Sequence, residues 1–174
     1  MKEILDGAMM KRSMVRMAHE IVERNRGCEN IVIVGIKTKG VPIGKRLCEM
    51  ISSFEGVDVP FTQLDISLWR DDKKKASAIE KEDLAVDVHD KKVILVDDVL
   101  YRGRTVRAAM DAIMDYGRAS EIQLAVLVDR GHRQLPIRAD FVGKNVPTSE
   151  EESVIVHTVE LDGEDAVYIK QYNE

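Results

Sequence analysis

At 174 residues, 33% charged and 44% hydrophobic, the chain is long enough for one packed domain and needs no disulfide or metal staple. Its net charge of −5 argues against indiscriminate nucleic-acid binding, because a phosphate backbone is attracted first by positive potential. The start, MKEILDGAMMKR, lacks the apolar core of a signal peptide, no stretch has the roughly 18 uninterrupted apolar residues of a membrane span, and Cys28 and Cys48 lack paired spacing, so a cytoplasmic protein with reduced thiols is expected.

Residues 8–26 read as an amphipathic helix with the apolar stripe Met10, Met14, Met17, Ala18 and Ile21. On the opposite face Arg12, Arg16, His19 and Glu23 form a mostly basic row, which is either solvated surface or a contact surface. Residues 31–36 make a buried strand that passes through Lys37-Thr38-Lys39-Gly40 into a helix carrying Val41, Leu47, Cys48 and Ile51, with Pro42 in its first turn. Phe61, Leu64, Ile66 and Leu68 suggest a strand leading to Trp69 and Arg70. Residues 71–92 are more than half charged and read as a mobile arm or lid, with Trp69, Arg70, Asp71 and Asp72 at its hinge.

The most informative stretch is VILVDDVLYRGRT, residues 93–105. Val93 to Val96 form a continuous apolar run, as in a parallel strand buried on both faces, and Asp97 and Asp98 mark its carboxyl end. Ligands of open α/β sheets bind at that edge, where two acids can accept from a sugar diol or hold hydrated Mg²⁺. From Val106 the apolar residues recur with helical spacing, so the intervening glycine loop brings backbone N–H groups to a helix N-terminus, a place suited to phosphate. Residues 122–128 read as another buried strand, and 154–159 with 167–169 as a terminal hairpin around Asp162-Gly163. Alternating strands and helices imply a parallel sheet with helices on both faces, yet neither the GxGxxG fingerprint nor a P-loop is present. Residues 130–144 hold four Lys/Arg against one acid, a local basic patch on an acidic chain.

VDDVLYRGRT resembles the phosphoribosyl diphosphate (PRPP) motif of type I phosphoribosyltransferases. Taken with GIKTKG at 35–40, VDRGHRQLPIRAD at 128–140 and GKNVPT at 143–148, the chain resembles the PyrR family of bifunctional pyrimidine operon attenuators and uracil phosphoribosyltransferases. The likeness covers nearly the whole chain and weakens at 71–85 and after 150. It implies the type I fold as a single α/β domain over 1–174: a central, mostly parallel sheet, helices on both faces, a flexible lid and a small C-terminal hairpin or hood. It implies transfer from PRPP to uracil with Mg²⁺, giving UMP and diphosphate, and binding of a hairpin in the pyrimidine operon leader mRNA under control of UMP or UTP. It also implies a homodimer or higher homo-oligomer.

Residue by residue, the resemblance places Asp97 and Asp98 on the ribose hydroxyls and, through water and diphosphate, on Mg²⁺, with Lys39 and Arg70 completing the catalytic set. Thr38, Lys39 and Gly40 match the diphosphate loop, and Val99, Leu100, Tyr101, Arg102, Gly103, Arg104 and Thr105 surround the ribose and its 5′-phosphate. Asp129 and Arg130, with Val142, Gly143, Lys144 and Val146 in a loop over 142–146, match the base site. Arg16, His19, Arg24, Thr38, His132, Arg133, Arg138 and Lys144 match the RNA-binding positions. Tyr101 stands where related purine enzymes place an acid, which favours a pyrimidine.

Two departures matter. The family's YTGRT is YRGRT here, so Arg102 either clamps the phosphate or fills its pocket, and Val15 replaces a threonine before the helix arginine. The alternatives are a uracil or purine salvage enzyme without RNA recognition and a nucleotide sensor whose catalysis Arg102 has impaired.

Overall fold

The computed structural model describes residues 1–71 and 80–173. In chain order, Lys2–Leu5 forms β1, Gly7–Asn25 α1, Ile31–Ile36 β2, Gly40–Glu55 α2, Phe61–Leu64 β3 and Lys92–Leu100 β4. Arg104–Tyr116 forms α3, Glu121–Asp129 β5, Phe141–Asn145 β6, Glu152–His157 β7, Val159–Asp162 α4 and Ala166–Gln171 β8. Five parallel strands in the order β3-β2-β4-β5-β6 make the main sheet, and β1-β8-β7 make a three-stranded antiparallel hood.

Strand side chains alternate between faces, and the two faces carry separate apolar clusters. Ile31, Ile33, Ile94, Val96 and Leu127 pack against Met10, Met14, Met17 and Ile21 of α1 and Ile43, Leu47 and Ile51 of α2. Val32, Val34, Val93, Leu95 and Val126 pack against Val106, Ala109, Ala112 and Ile113 of α3. The sheet is thus covered on both sides, which explains why its central strands read as uninterrupted apolar runs. Asp6 caps α1, its side chain accepting from Met9 N–H at 2.8 Å, whereas α2 and α3 begin without a side-chain cap. Their first-turn N–H groups face the carboxyl edge of β2 and β4.

The structure differs from the sequence expectations in four places. The acids do not end β4: the strand runs on to Leu100, because Val99 and Leu100 still find partners in Val128 and Asp129 of β5. Strand β3 stops at Leu64, and Ile66 to Trp69 close a turn in which Trp69 N–H donates to Ile66 C=O. The stretch 142–146, read as a loop, is largely β6, an outer strand paired to β5 through Val142–Val126 and Lys144–Val128. The C-terminal hairpin is joined by α4 and gains β1 as a third strand.

The expected lid divides. Residues 72–79 lie outside the described residues, while the chain just before β4 is docked on the body. Val88 is buried, Leu84 and Val86 pack on the α3 cluster, Ala85 N–H donates to Thr62 Oγ1 at 3.1 Å, and Glu82 pairs with Lys37 at 3.0 Å. Both cysteines are free thiols, and among the described residues no helix is long and apolar enough to cross a membrane.

Candidate active site

Two loops meet at the acid pair. Leaving β2, Lys37 to Gly40 turn into α2 through a cis Lys37–Thr38 peptide. Gly40 lies hard against β4: a Cβ there would sit 2.2 Å from Val96 O and 3.1 Å from Asp97 Cα, so only glycine lets this loop approach the acids. Leaving β4, Tyr101 to Gly103 turn into α3, with Gly103 at φ +91 between Arg102 and Arg104 in the chain. A cleft of about 300 Å³ is lined by Arg70, Val99 to Val106 and Gln134.

Asp97 and Asp98 lie between these loops. Asp97 is buried, and its Oδ1 accepts from Asp98 N–H at 2.9 Å, while Asp98 Oδ1 accepts from Val99 N–H at 2.8 Å. Burial pushes both carboxyls above the usual range, Asp97 strongly so, and for Asp97 the neighbouring Asp98 charge adds to it. Nearby cations oppose the rise, Arg70 for Asp97 and Lys39 for Asp98. A pair whose double ionisation is resisted by burial and mutual repulsion suits a divalent cation and a cationic sugar, either of which offsets the crowded charge.

Lys37, Lys39 and Arg104 of the loops are each paired with a carboxylate from another part of the chain. Lys39 Nζ pairs with Asp162 of α4 at 2.5 Å. Arg104 donates to Asp71 at 3.3 Å and to Gln134 at 3.4 Å, and Arg107 also reaches Asp71 at 3.3 Å. Arg102 lines the cleft with an exposed side chain, its guanidinium 5.0 Å from the Tyr101 ring centre. The Arg130 guanidinium lies 3.8 Å from the same ring centre.

Arg130 is 3% exposed and donates to Thr148 Oγ1, Ser149 O and Glu152 O, so it fastens the 148–152 loop and its guanidinium is turned toward Tyr101 and that loop. Asp129 O accepts from Val146 N–H at 2.8 Å, and Asp129 Oδ1 from Gly131 N–H at 3.0 Å, which shapes the turn beside β6. Val142 and Gly143 offer their carbonyls to Arg16 of α1 at 3.2 and 2.5 Å.

Six of the eight RNA candidates fall into three pairs. Arg16 and Lys144 share a cleft with Arg12 and Ser13. Arg24 pairs with Asp140 at 2.9 Å, in the same loop as exposed Arg138. His132 and Arg133 are exposed at the tip of the loop after β5, where His132 meets the Tyr101 ring edge-on at 6.0 Å and contacts Thr148 O. His19 is stacked on Phe54 of α2, ring centres 4.0 Å apart. Thr38 stands at the end of β2, three strand spacings from β6, or about 14 Å, and so apart from the rest within one chain.

Sequence reasoning missed Asp162 and Gln134. Asp162 reads as a turn residue before Gly163, and only the fold brings it to Lys39, 123 positions away. Gln134 N–H donates to Arg102 O at 2.9 Å, and Leu135 and Ile137 lie against Gly103, so the loop bearing His132 and Arg133 rests on the turn between β4 and α3.

Comparison with known proteins bears on this arrangement. The phosphoribosyl transferase domain family matches residues 1–161. "Bifunctional protein pyrR" of Enterococcus faecalis strain OG1RF is 55% identical over 175 residues, covering 99% of this chain and 98% of that protein. "Bifunctional protein PyrR" of Bacillus cereus strain AH820 is 58% identical over 171 residues, 95% of each. The chain belongs to the PyrR family. Its fold is that of type I phosphoribosyltransferases. A hypoxanthine-guanine phosphoribosyltransferase of Bacillus anthracis superposes with TM-score 0.74 at 18% identity over 96% of both chains. A hypoxanthine phosphoribosyltransferase of Trypanosoma cruzi gives 0.74 at 16% identity, covering 98% of this PyrR-family chain and 97% of that one.

Proposed function

We propose that this PyrR-family chain transfers the phosphoribosyl group of PRPP to uracil and that, with UMP or UTP in the same site, it binds the pyrimidine operon leader transcript and promotes termination. The observation that carries the catalytic half is the placing of Asp97 and Asp98 between the Lys37–Gly40 loop and the N-terminus of α3. In the transfer the bond from ribose C1 to the diphosphate oxygen breaks, a bond from C1 to the uracil ring nitrogen forms, and that nitrogen loses its proton.

The 5′-phosphate lies at Gly103 to Thr105, where the uncapped first turn of α3 offers N–H donors and Arg104 a charge. Asp97 and Asp98 accept from the ribose hydroxyls and favour the positive charge that develops on the sugar. Lys39 and the Thr38–Gly40 backbone receive the diphosphate on the opposite side. Asp97 and Asp98 would hold Mg²⁺ through water, and the ion would supply positive charge to offset that of the leaving diphosphate. Tyr101, in cation–π contact with Arg130 and Arg102, borders the base position.

RNA recognition uses Arg16, Lys144, Arg24, Arg138, His132 and Arg133, with the cations on phosphates and His132 on an unpaired base. The chain assembles into a homodimer or higher oligomer, for which exposed Val159 and Leu161 supply apolar surface. Incubation with PRPP, uracil and Mg²⁺ tests the reaction: UMP formation is expected, and hypoxanthine or guanine turnover exceeding uracil turnover overturns the pyrimidine assignment. Leader RNA competed against excess tRNA at moderate salt tests the regulatory half. Loss of leader binding to tRNA would leave a salvage enzyme, because electrostatic attraction alone does not tell them apart.

A further inference from the structure

Both lysines of the diphosphate loop are held by carboxylates from outside the loop, Lys37 by Glu82 and Lys39 by Asp162. The second contact is the more constructed. Asp162 Oδ2 takes Lys39 Nζ and also Thr158 N–H at 2.9 Å, closing the single turn of α4 on itself. That turn is anchored to α2: Arg46 donates to Glu160 at 2.6 and 2.8 Å and to Asp165 at 2.7 and 2.9 Å, and Asp165 in turn accepts from Val159 N–H. The carboxylate is therefore fixed in the hood, and the partner that can move is the long lysine stem. Lys39 is also near enough to Asp98 to favour its ionised form.

From this geometry we infer that Asp162 is a positioning residue of the transfer reaction, a built-in competitor that takes Lys39 back from the diphosphate and so speeds its release. The inference rests on the reading of Lys37–Gly40 as the diphosphate loop. The pair is partly exposed, 31% at Lys39 and 22% at Asp162, so it is weak enough for the several negative charges of a diphosphate to displace. Once the bond to ribose has broken, the same carboxylate offers Lys39 an alternative partner and lowers the cost of letting the product go. The effect is one of competition, so its sign is opposite to that of a merely structural role.

Asp162→Asn keeps an oxygen for Thr158 N–H and removes only the charge. The expected result is tighter diphosphate, with Ki as a product inhibitor and Kd by calorimetry with Mg²⁺ both falling roughly two- to fivefold and KM for PRPP falling with them. Asp162→Glu, which restores the charge on a longer stem, should return part of the difference. Unchanged or weaker diphosphate binding by a folded Asp162→Asn chain overturns the inference. Failure of the natural chain to bind Mg²⁺-diphosphate at all overturns the loop assignment instead, and the inference with it.

Discussion

The two loops flanking the acid pair solve one problem in different ways. Each carries the chain from a buried strand to a helix without a side-chain cap, leaving first-turn N–H groups for an anion. The loop at 101–105 carries a local signature: a glycine that its φ of +91 favours, arginines on either side and a threonine. The loop at 37–40 is defined from outside, by Asp97 and Val96 pressing on Gly40 and by Asp162 and Glu82 holding its lysines. A phosphate group that stays bound through the reaction can be served by fixed local donors. A diphosphate that must leave is better served by a cation with a second partner within reach.

The sharpest way to break this comparison is to remove the element both loops share. Asp98→Asn should lower UMP formation by about 100-fold or more, the scale on which a preorganised charge acts. The same change should raise thermal stability at neutral pH. Burial raises the folded-state pKa of the pair above its unfolded value, so the protonated pair favours folding below the ordinary carboxylate range and that contribution is lost as pH rises through the folded pKa. Melting curves of the two chains should therefore separate at pH 7 and converge below about pH 4. A variant less stable at pH 7 would show that the acids are well solvated or better paired than their burial implies.

Next in size are the two glycines. Gly40→Ala forces a Cβ to 2.2 Å from backbone that cannot yield and should cost about 3 kcal/mol or more in urea unfolding, whereas Gly103→Ala meets no atom closer than 3.7 Å and carries only the left-handed penalty, about 1–2 kcal/mol. Equal costs would mean that the loop at 37–40 is not pressed on β4 as tightly as its geometry shows. Arg133→Gln should weaken leader RNA binding about tenfold while KM for PRPP stays unchanged, since its exposed side chain stands off the cleft. The smallest effect is expected from Arg102→Thr, with turnover within about fivefold of the natural chain because an exposed guanidinium over Tyr101 makes a modest contact. Activity seen only in the threonine variant would mean that Arg102 closes the pocket in solution.

What was legible in the sequence follows the same division. β2, β4 and β5 are buried on both faces, so their apolar runs declare them, and the stripes of α1 and α3 declare which sides face the sheet. β1 has only four residues, and its partner β8 lies at the far end of the chain. β6 pairs on one side only and carries Gly143 and Lys144, so it shows neither a run nor an alternation. The segment before β4 reads as charged, yet Leu84, Val86 and Val88 anchor it, because three spaced apolar residues suffice to dock a loop that composition marks as solvated. Asp97, Asp98 and the 101–105 loop are local and were visible. Asp162 and Gln134 act only through partners that the fold brings to them.

The turn from Gly131 to Ile137 lies on Gly103 and is tied to Arg102 O through Gln134 N–H, so the wall of the nucleotide cleft is also the base on which His132 and Arg133 stand. On the function proposed above, salvage and operon control are therefore expected to drift together in this stretch. Selections for lost uracil use and for deregulated pyrimidine synthesis, run separately, should return alleles in the same few codons around Leu135 and Ile137.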